Sequence, residues 1–237
     1  FMSLTSWALV MAHHRDRETV HAGYVYIVMA AFGTFALLLA FGMLAGPDGA
    51  YGFSAMRSVA DRAPWQEIAI FTLVLLGAGS KAGLVPLHVW LPLAHPAAPS
   101  HVSALMSAVM TKVAIYGFIR IVFDLLGGTG WEAALAVLAV GGGSAVFGVL
   151  QAMVQTDIKK ILASSTVENI GIVFVGLGLA LAFQAEGARV MGLDLAAAKQ
   201  PVPIIACDLA REAGIVSAVA QAAAEMGGID VLVNNAG

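Results

Sequence analysis

Residues 75–92 read LLGAGSKAGLVPLHVWLP, and a single cation, Lys81, stands inside a run otherwise apolar enough for lipid. An ionisable side chain at the centre of a spanning helix costs about 2.5–3.5 kcal/mol to insert, and such residues usually face a watery interior on an ion pathway. Desolvation brings the charged and neutral forms of an amine closer in energy, so a lysine placed there can exchange a proton during turnover. Snorkelling to the interface is the bland alternative, but from mid-run the head group has a long way to reach. Pro86 follows shortly after Lys81, with Gly77, Gly79 and Gly83 close by. A helix broken at membrane depth is tolerated where it lines a polar cavity, and such breaks recur at ion sites. Glycine packing or a simple kink explains each feature singly. The conjunction of break and buried lysine points to transport.

The rest of the chain has the same texture. Of 237 residues, 59% are hydrophobic and only 11% charged, against about a quarter charged in soluble domains. A spanning helix needs about 20 apolar residues, and residues 24–45, 68–93, 102–123, 133–154 and 161–183 each supply such a run. Residues 1–12 supply about half of one. The expected fold is therefore mainly α: a polytopic transmembrane bundle of five full crossings and one partial, in contact with a lipid bilayer. A net charge of −3 leaves no basic footprint for nucleic acid. One cysteine, Cys207, excludes a disulfide framework. No signal peptide is evident, and the opening at Phe1 reads as the inside of a longer frame. The Lys/Arg bias of the loops, Arg15, Arg17, Lys159 and Lys160 against Arg57 and Arg62, places the 13–21 loop on the cytoplasmic side by a narrow margin.

Other ionisable residues fall in or beside the spans. Lys112 is central in its run and carries the same implication as Lys81. His88, His95 and His101 flank the turn HVWLPLAHPAAPSH; histidine titrates near neutral pH and can relay protons, while an interfacial position beside Trp90 explains His88 and His95 equally well. Their spacing matches no compact metal motif, so no metal site is expected. Glu168 fits either the pathway or a helix start. Asp157, Lys159 and Lys160 read as a solvated junction from which Lys160 can still reach inward.

These residues resemble a known family. SKAGLVPLHVWLPLAHPAAPSHVSALMSAVMTKVAIYGFIR, then QTDIKKILASSTVENIGIVFVGLGLALAF, are similar to the antiporter-like proton-translocating subunits of respiratory complex I, Mrp-type sodium/proton antiporters and group 4 hydrogenases, with the hydrogenase 4 component B type nearest in wording. The resemblance covers residues 1–184. It implies a multi-pass protein of the bacterial-type inner membrane, assembled with other membrane subunits of a hydrogenase or complex I-like oxidoreductase and moving protons or sodium ions. Lys81 matches the family's lysine on a broken helix, and Lys112 the second lysine that passes the proton on. His101, His88, Glu168 and Lys160 are the further candidates for that path, and Pro86 marks the break. The resemblance also places the acidic partner of the first lysine ahead of Phe1, and the later helices beyond Phe183. No cofactor is expected in the membrane region, since redox chemistry belongs to other subunits of such complexes.

Beyond Gln184 the texture changes. EGARVMGLDL, PVPIIACDL and IDVLVNNAG read as three strands, with a helix over 210–226, an alternation that suggests a parallel α/β sheet. Residues 185–237 resemble an incomplete Rossmann fragment of a short-chain dehydrogenase/reductase, spanning its second to fourth strands. By that resemblance Asp194 would bind the ribose of NAD, Asp208 and Leu209 would lie by the adenine, and Asn234 would hold the central sheet. The bland reading of both aspartates is strand-end capping. The glycine-rich phosphate loop is missing, for GIVFVGLG is apolar where that turn belongs, and the catalytic serine and tyrosine would lie past Gly237.

Three functional readings result: a fragment of a proton-translocating subunit, a membrane-anchored NAD-dependent dehydrogenase, and a scaffold without transport. The stretch LALAFQAEGARV fits both families at once, which suggests a further alternative, a chimeric, doubly truncated reading frame joined near residues 183–187 with no function as written.

Overall fold

Strong helix-start signals and long apolar runs set the order of elements in the computed structural model, which describes residues 2–46, 49–58, 62–127, 129–194 and 202–233. Helix α1 (Met2–Val10) passes through a tight turn, Met11–His13, to the cap of α2 (Arg17–Ala45). There the Asp16 carboxylate accepts from the Glu18 N–H and satisfies one of the four orphan donors of a helix start. The short α3 (Phe53–Ser58) lies in the following loop. Helix α4 (Pro64–Ala82) opens on a proline, which has no N–H to leave unpaired, and the Gln66 side chain accepts from the Ala63 N–H at 3.0 Å. After a break come α5 (Trp90–Ala97), then α6 (Ser100–Leu105) and α7 (Thr111–Ile119). The last two share one rod, interrupted and ended by wide π-type turns at Met106–Met110 and Arg120–Leu125. Helices α8 (Trp131–Met153) and α9 (Ile158–Ala185) form an antiparallel pair, α9 capped by Asp157, which accepts from the Lys159 and Lys160 N–H groups.

Five segments are long and apolar enough to cross a membrane: Arg17–Ala45, Pro64–Ala97, Ser100–Leu125, Trp131–Met153 and Ile158–Ala185. These are the five expected crossings, each longer than its apolar run by between one and eight residues, and α1 is the partial one. Because lipid tails are as apolar as leucine, helices in a bilayer associate through close backbone approach at small residues. The inward face of α2 accordingly carries Ala22, Ala30, Gly33, Ala36 and Ala40, and Gly33 lies directly against Gly77 of α4. The outward faces of α2 and α8 present Tyr24, Phe35, Leu38, Val146 and Leu150, all more than half exposed, a surface that suits hydrocarbon. Between α4, α7 and α9 the core is aromatic: Phe71 meets Phe118 edge-on and Phe118 tilts onto Phe174 at 5.0 Å.

One ionic cluster pins the α3 loop to the bundle. The Asp124 carboxylate, only 3% exposed, receives both nitrogens of the Arg57 fork at 2.7 and 2.8 Å and Arg120 at 2.8 Å. Hydrogen bonding to Asp124 raises the Arg57 guanidinium above its ordinary value. Arg62 adds a bond to the Met56 carbonyl, and Arg120 lies over the Phe53 ring at 5.4 Å.

The C-terminal segment contains β1 (Gly192–Asp194) and β2 (Ile204–Ala206), parallel in the register Gly192↔Ile204, and α10 (Glu212–Met226). Ile205, Cys207, Ala218 and Ala222 form its small core. Two of the three expected strands are therefore present. Among the described residues the third is not seen: residues 231–233 adopt no strand and are exposed, and the rest of that stretch, with Asn234, lies outside the described residues. In the doubly wound strand order the fourth strand pairs with the first, and the chain ahead of β1 is α9. A strand without a ladder partner has nowhere to place its backbone groups.

Candidate functional site

The break that carries Lys81 is built from glycine and proline chemistry. Helix α4 ends at Ala82, and Gly83 takes the left-handed conformation, φ +88°, that a helix C-cap requires. The Gly83 and Leu84 N–H groups both return to the Gly79 carbonyl, at 2.8 and 2.9 Å. A side chain on Gly83 would collide with Leu91, which packs on top of the cap. The break thus begins three residues before Pro86, which occupies the connecting loop and cannot donate to resume the helix. Trp90 ties the second half back to the first, its indole N–H donating to the Ser80 carbonyl at 2.8 Å, while Ser80 Oγ donates to the Met29 carbonyl of α2 at 2.9 Å. Tyr26 closes on Trp90 edge-on at 5.2 Å.

Lys81 sits in the last turn of α4, half-buried, and its ammonium donates to Ser3 Oγ of α1 at 3.1 Å. It faces a cleft of about 10 Å³ lined by Met2, Tyr26, Ala30, Ser80, Trp90 and Met110, room for about one water molecule. Met110 belongs to the rod that carries Lys112 two residues later, and Ser6 Oγ of α1 lies 3.4 Å from the Met110 sulfur. The two lysine-bearing helices therefore meet at the Lys81 cleft.

Lys112 lies on the outer side of that rod. Its ammonium donates to the Ser107 carbonyl at 2.9 Å, an acceptor it shares with Thr111 Oγ1 at 2.8 Å. It opens onto a groove of about 300 Å³ with Tyr116 and Asn169. Behind it, Ser107 and Thr166 hydroxyls link the rod to α9 at 2.5 Å.

The histidines separate sharply. His88 is buried in the turn after Pro86, edge-on to Phe147 of α8 at 4.9 Å. His95, at 2% exposure, shares a 2.8 Å hydrogen bond between Nδ1 and Ser103 Oγ, while its Nε2 is unpartnered. Both are buried among the helices. His101 is exposed in the first turn of α6. Glu168 lies well inside α9, whose start is Ile158, and so plays no part in starting the helix; its backbone packs against Gly148. Lys160 flanks the α9 cap and is partly exposed, while its neighbour Lys159 donates to the Ala98 carbonyl at 3.0 Å and joins the α5–α6 turn to α9. Among the described residues no three of His, Cys, Asp and Glu converge on a metal position.

Sequence reasoning missed the hydroxyls. Ser3 bonds Lys81, Ser80 and Ser144 tie the break to α2 and α8, and Ser107 and Thr166 join the Lys112 rod to α9, yet serine within an apolar run gives no signal of its own. It also missed the Asp124 cluster, whose members are far apart in the chain.

Of the C-terminal residues named for a dinucleotide, Asp194, Asp208 and Leu209 are described and Asn234 is not. Asp194 ends β1, as a ribose ligand would, and the β1–β2 pair is parallel. Among the described residues ahead of β1 no strand or glycine-rich turn precedes it, and α9 runs unbroken to Ala185. Asp208 accepts from the Ala210 N–H at 3.0 Å and pairs with Arg211, the capping role of the plainer reading, and Leu209 beside it is exposed.

Comparison with known proteins agrees with the geometry. The profile of the family described as NADH:quinone oxidoreductase/Mrp antiporter, transmembrane, matches residues 1–197. A second profile, described as Enoyl-(Acyl carrier protein) reductase, matches residues 173–237 and so overlaps the first across the end of α9. Hydrogenase-4 component B of Escherichia coli (strain K12) is 45% identical over 183 residues, covering 76% of this chain and 27% of that protein. The archaeal membrane-bound sulfane sulfur reductase structure superposes with a TM-score of 0.68 at 25% identity, covering 74% of this chain and 36% of that one. The Mrp complex from Dietzia sp. DQ12-45-1b gives 0.65 at 28%, covering 73% and 33%. The chain thus spans about a quarter to a third of the proteins it matches. With a family profile over most of its length, five apolar crossings and a lysine-bearing break, this chain belongs to the NADH:quinone oxidoreductase/Mrp antiporter transmembrane family.

Proposed function

We propose that residues 1–184 form part of a proton path, or a sodium/proton path, in a membrane subunit of a respiratory or hydrogenase-type oxidoreductase complex. The observation that carries this reading is Lys81: an ammonium at a helix break, bound to one hydroxyl, facing a water-sized cleft that reaches the Lys112 rod. Breaks of this kind recur at ion sites in membrane proteins, and the cleft beside this one is small enough that a proton would pass through the few groups that line it. Lys81 takes up and releases the proton, and Lys112 passes it on. Ser3, together with a water in the cleft, is the nearest group through which the Lys81 proton can leave. His88, His101, Glu168 and Lys160 are candidate members of the same path. His88 lies nearest the break, and His101 and Lys160 lie towards a membrane surface.

The setting that follows is a bacterial-type inner membrane, with other membrane subunits of the complex as partners. No residue of the bundle is proposed to hold a redox cofactor. Residues 185–237 are proposed to bind no NAD as they stand, and to be joined to the membrane region near residues 183–187.

The test is proton uptake by vesicles containing the membrane-assembled protein, followed with a pH-sensitive dye. Lys81→Ala is expected to abolish uptake while the protein still inserts and assembles. Unaltered uptake would defeat the reading. Replacing external sodium by potassium separates a proton path from a sodium/proton exchange, which alone would lose its flux.

A further inference from the structure

The break between α4 and α5 leaves backbone donors that a continuous helix would have satisfied, and hydrocarbon offers no water for them. Gly83 and Leu84 turn back onto Gly79, and Pro86 has no N–H. Val85 is the donor between them. Its N–H crosses to α8 and meets Ser144 Oγ at 2.9 Å. That hydroxyl in turn donates to the Val140 carbonyl at 2.6 Å, so its proton is committed along its own helix and a lone pair is turned towards the break.

The setting of Ser144 is specific. It is fully buried, within the run AVGGGSAVFGV that has no other polar side chain. On the following turn Phe147 packs against His88. Behind it, α8 is braced against α9 through Gly141, where a Cβ would meet Val175 N at 2.8 Å and Gly171 O at 2.9 Å. A hydroxyl held from behind and facing the freed donor determines where the broken strand of backbone can lie.

We propose that Ser144 is the positioning residue of the Lys81 site: by holding Val85 it fixes the end of α4 and so the reach of the Lys81 ammonium to Ser3. This rests on the reading of Lys81 as a proton carrier. Ser144 itself handles no proton of the path, and its effect passes through Val85, four residues beyond the lysine.

Two readouts test this in the vesicle-embedded protein. The first is amide hydrogen exchange of a peptide covering residues 83–90. The second is the pH profile of proton uptake. Ser144→Ala is expected to speed exchange of that peptide about tenfold, the scale set by leaving a buried donor unsatisfied, and to displace the uptake profile along the pH axis. Ser144→Thr keeps the hydroxyl and is expected to restore both. Unchanged exchange in Ser144→Ala overturns the proposal. Faster exchange with an undisplaced pH profile also overturns it, since the hydroxyl would then serve structure alone. Should the alanine variant fail to insert, Ser144→Thr and Ser144→Val differ only in the hydroxyl at nearly equal volume, and equal behaviour of that pair overturns the proposal. Failure of the transport reading shows separately, as uptake persisting in Lys81→Ala while the exchange of residues 83–90 still responds to the hydroxyl.

Discussion

Substituting Gly171→Ala should separate α8 from α9, and the size of the effect follows from where a single methyl would go. A Cβ on Gly171 would lie 2.4 Å from Ala145 N, 2.6 Å from Gly141 O and 2.9 Å from Ala145 Cα. All three are backbone atoms of α8, so no side chain can swing away. Carbon contacts settle near 3.5–4.0 Å, and restoring them requires the helices to part by roughly 1 Å, a gap that already forfeits a quarter to a half of each dispersion well along the seam. Overpacking of this kind costs about 1–3 kcal/mol. Gly→Ala also gains up to about 1 kcal/mol of helix propensity, which would mask part of the loss. Gly143→Ala supplies the control, because Gly143 lies on the same helix pair with nothing within 4 Å of its Cβ position. The propensity gain cancels between the two variants, leaving about 1–3 kcal/mol, with thermal midpoints some 2–4 °C apart per kcal/mol for a chain of this size. Thermal unfolding of both variants in the same detergent, monitored by circular dichroism, reads that difference. Equal midpoints would mean that α8 and α9 are not in backbone contact at Gly171. The brace behind Ser144 would fall with that contact.

Further outcomes follow from other contacts. Asp124→Ala leaves Arg120, a quarter exposed, and the exposed Arg57 without their shared carboxylate and should lower the thermal midpoint; a midpoint within a degree of wild type would show the cluster to be incidental. Gly83→Ala meets both an unfavourable positive φ and Leu91 Cδ1 at 2.0 Å, so it should lower stability by about 1–3 kcal/mol and reduce proton uptake more than Gly117→Ala, which has open space. Lys112→Met should suppress proton uptake with little change in the thermal midpoint, since the side chain is exposed to a groove and bonds only its own helix; full uptake would remove it from the path.

Much of the bundle was legible from hydropathy, because a bilayer demands about 20 apolar residues per crossing and tolerates few exceptions. The break was legible for a similar reason: Gly83 and Pro86 are poor helix formers, and a lysine beside them at mid-run would have a long way to snorkel. What the sequence could not reveal is pairing across the chain. Val85 and Ser144, Lys81 and Ser3, or Arg57 and Asp124 meet only once helices are placed side by side. Serine within an apolar run also looks like any small packing residue. For His88 and His95 the sequence left a relay and an interfacial position equally open, and it gave no sign that both would be buried among helices, where His95 finds Ser103. The third strand failed for the opposite reason: VLV has strand propensity, yet a strand exists through its neighbours, and α9 occupies the chain where its partner would have been.

The central claim is that Lys81 gains and loses a proton while the protein works. Nitrogen-15 NMR of lysine-labelled protein in lipid vesicles distinguishes ammonium from neutral amine, and Lys81→Arg identifies the resonance by its disappearance. The predicted result is a Lys81 signal that converts between the two forms within the pH range over which vesicles take up protons. A Lys81 signal that stays in one form across that whole range, with uptake intact, would contradict the account.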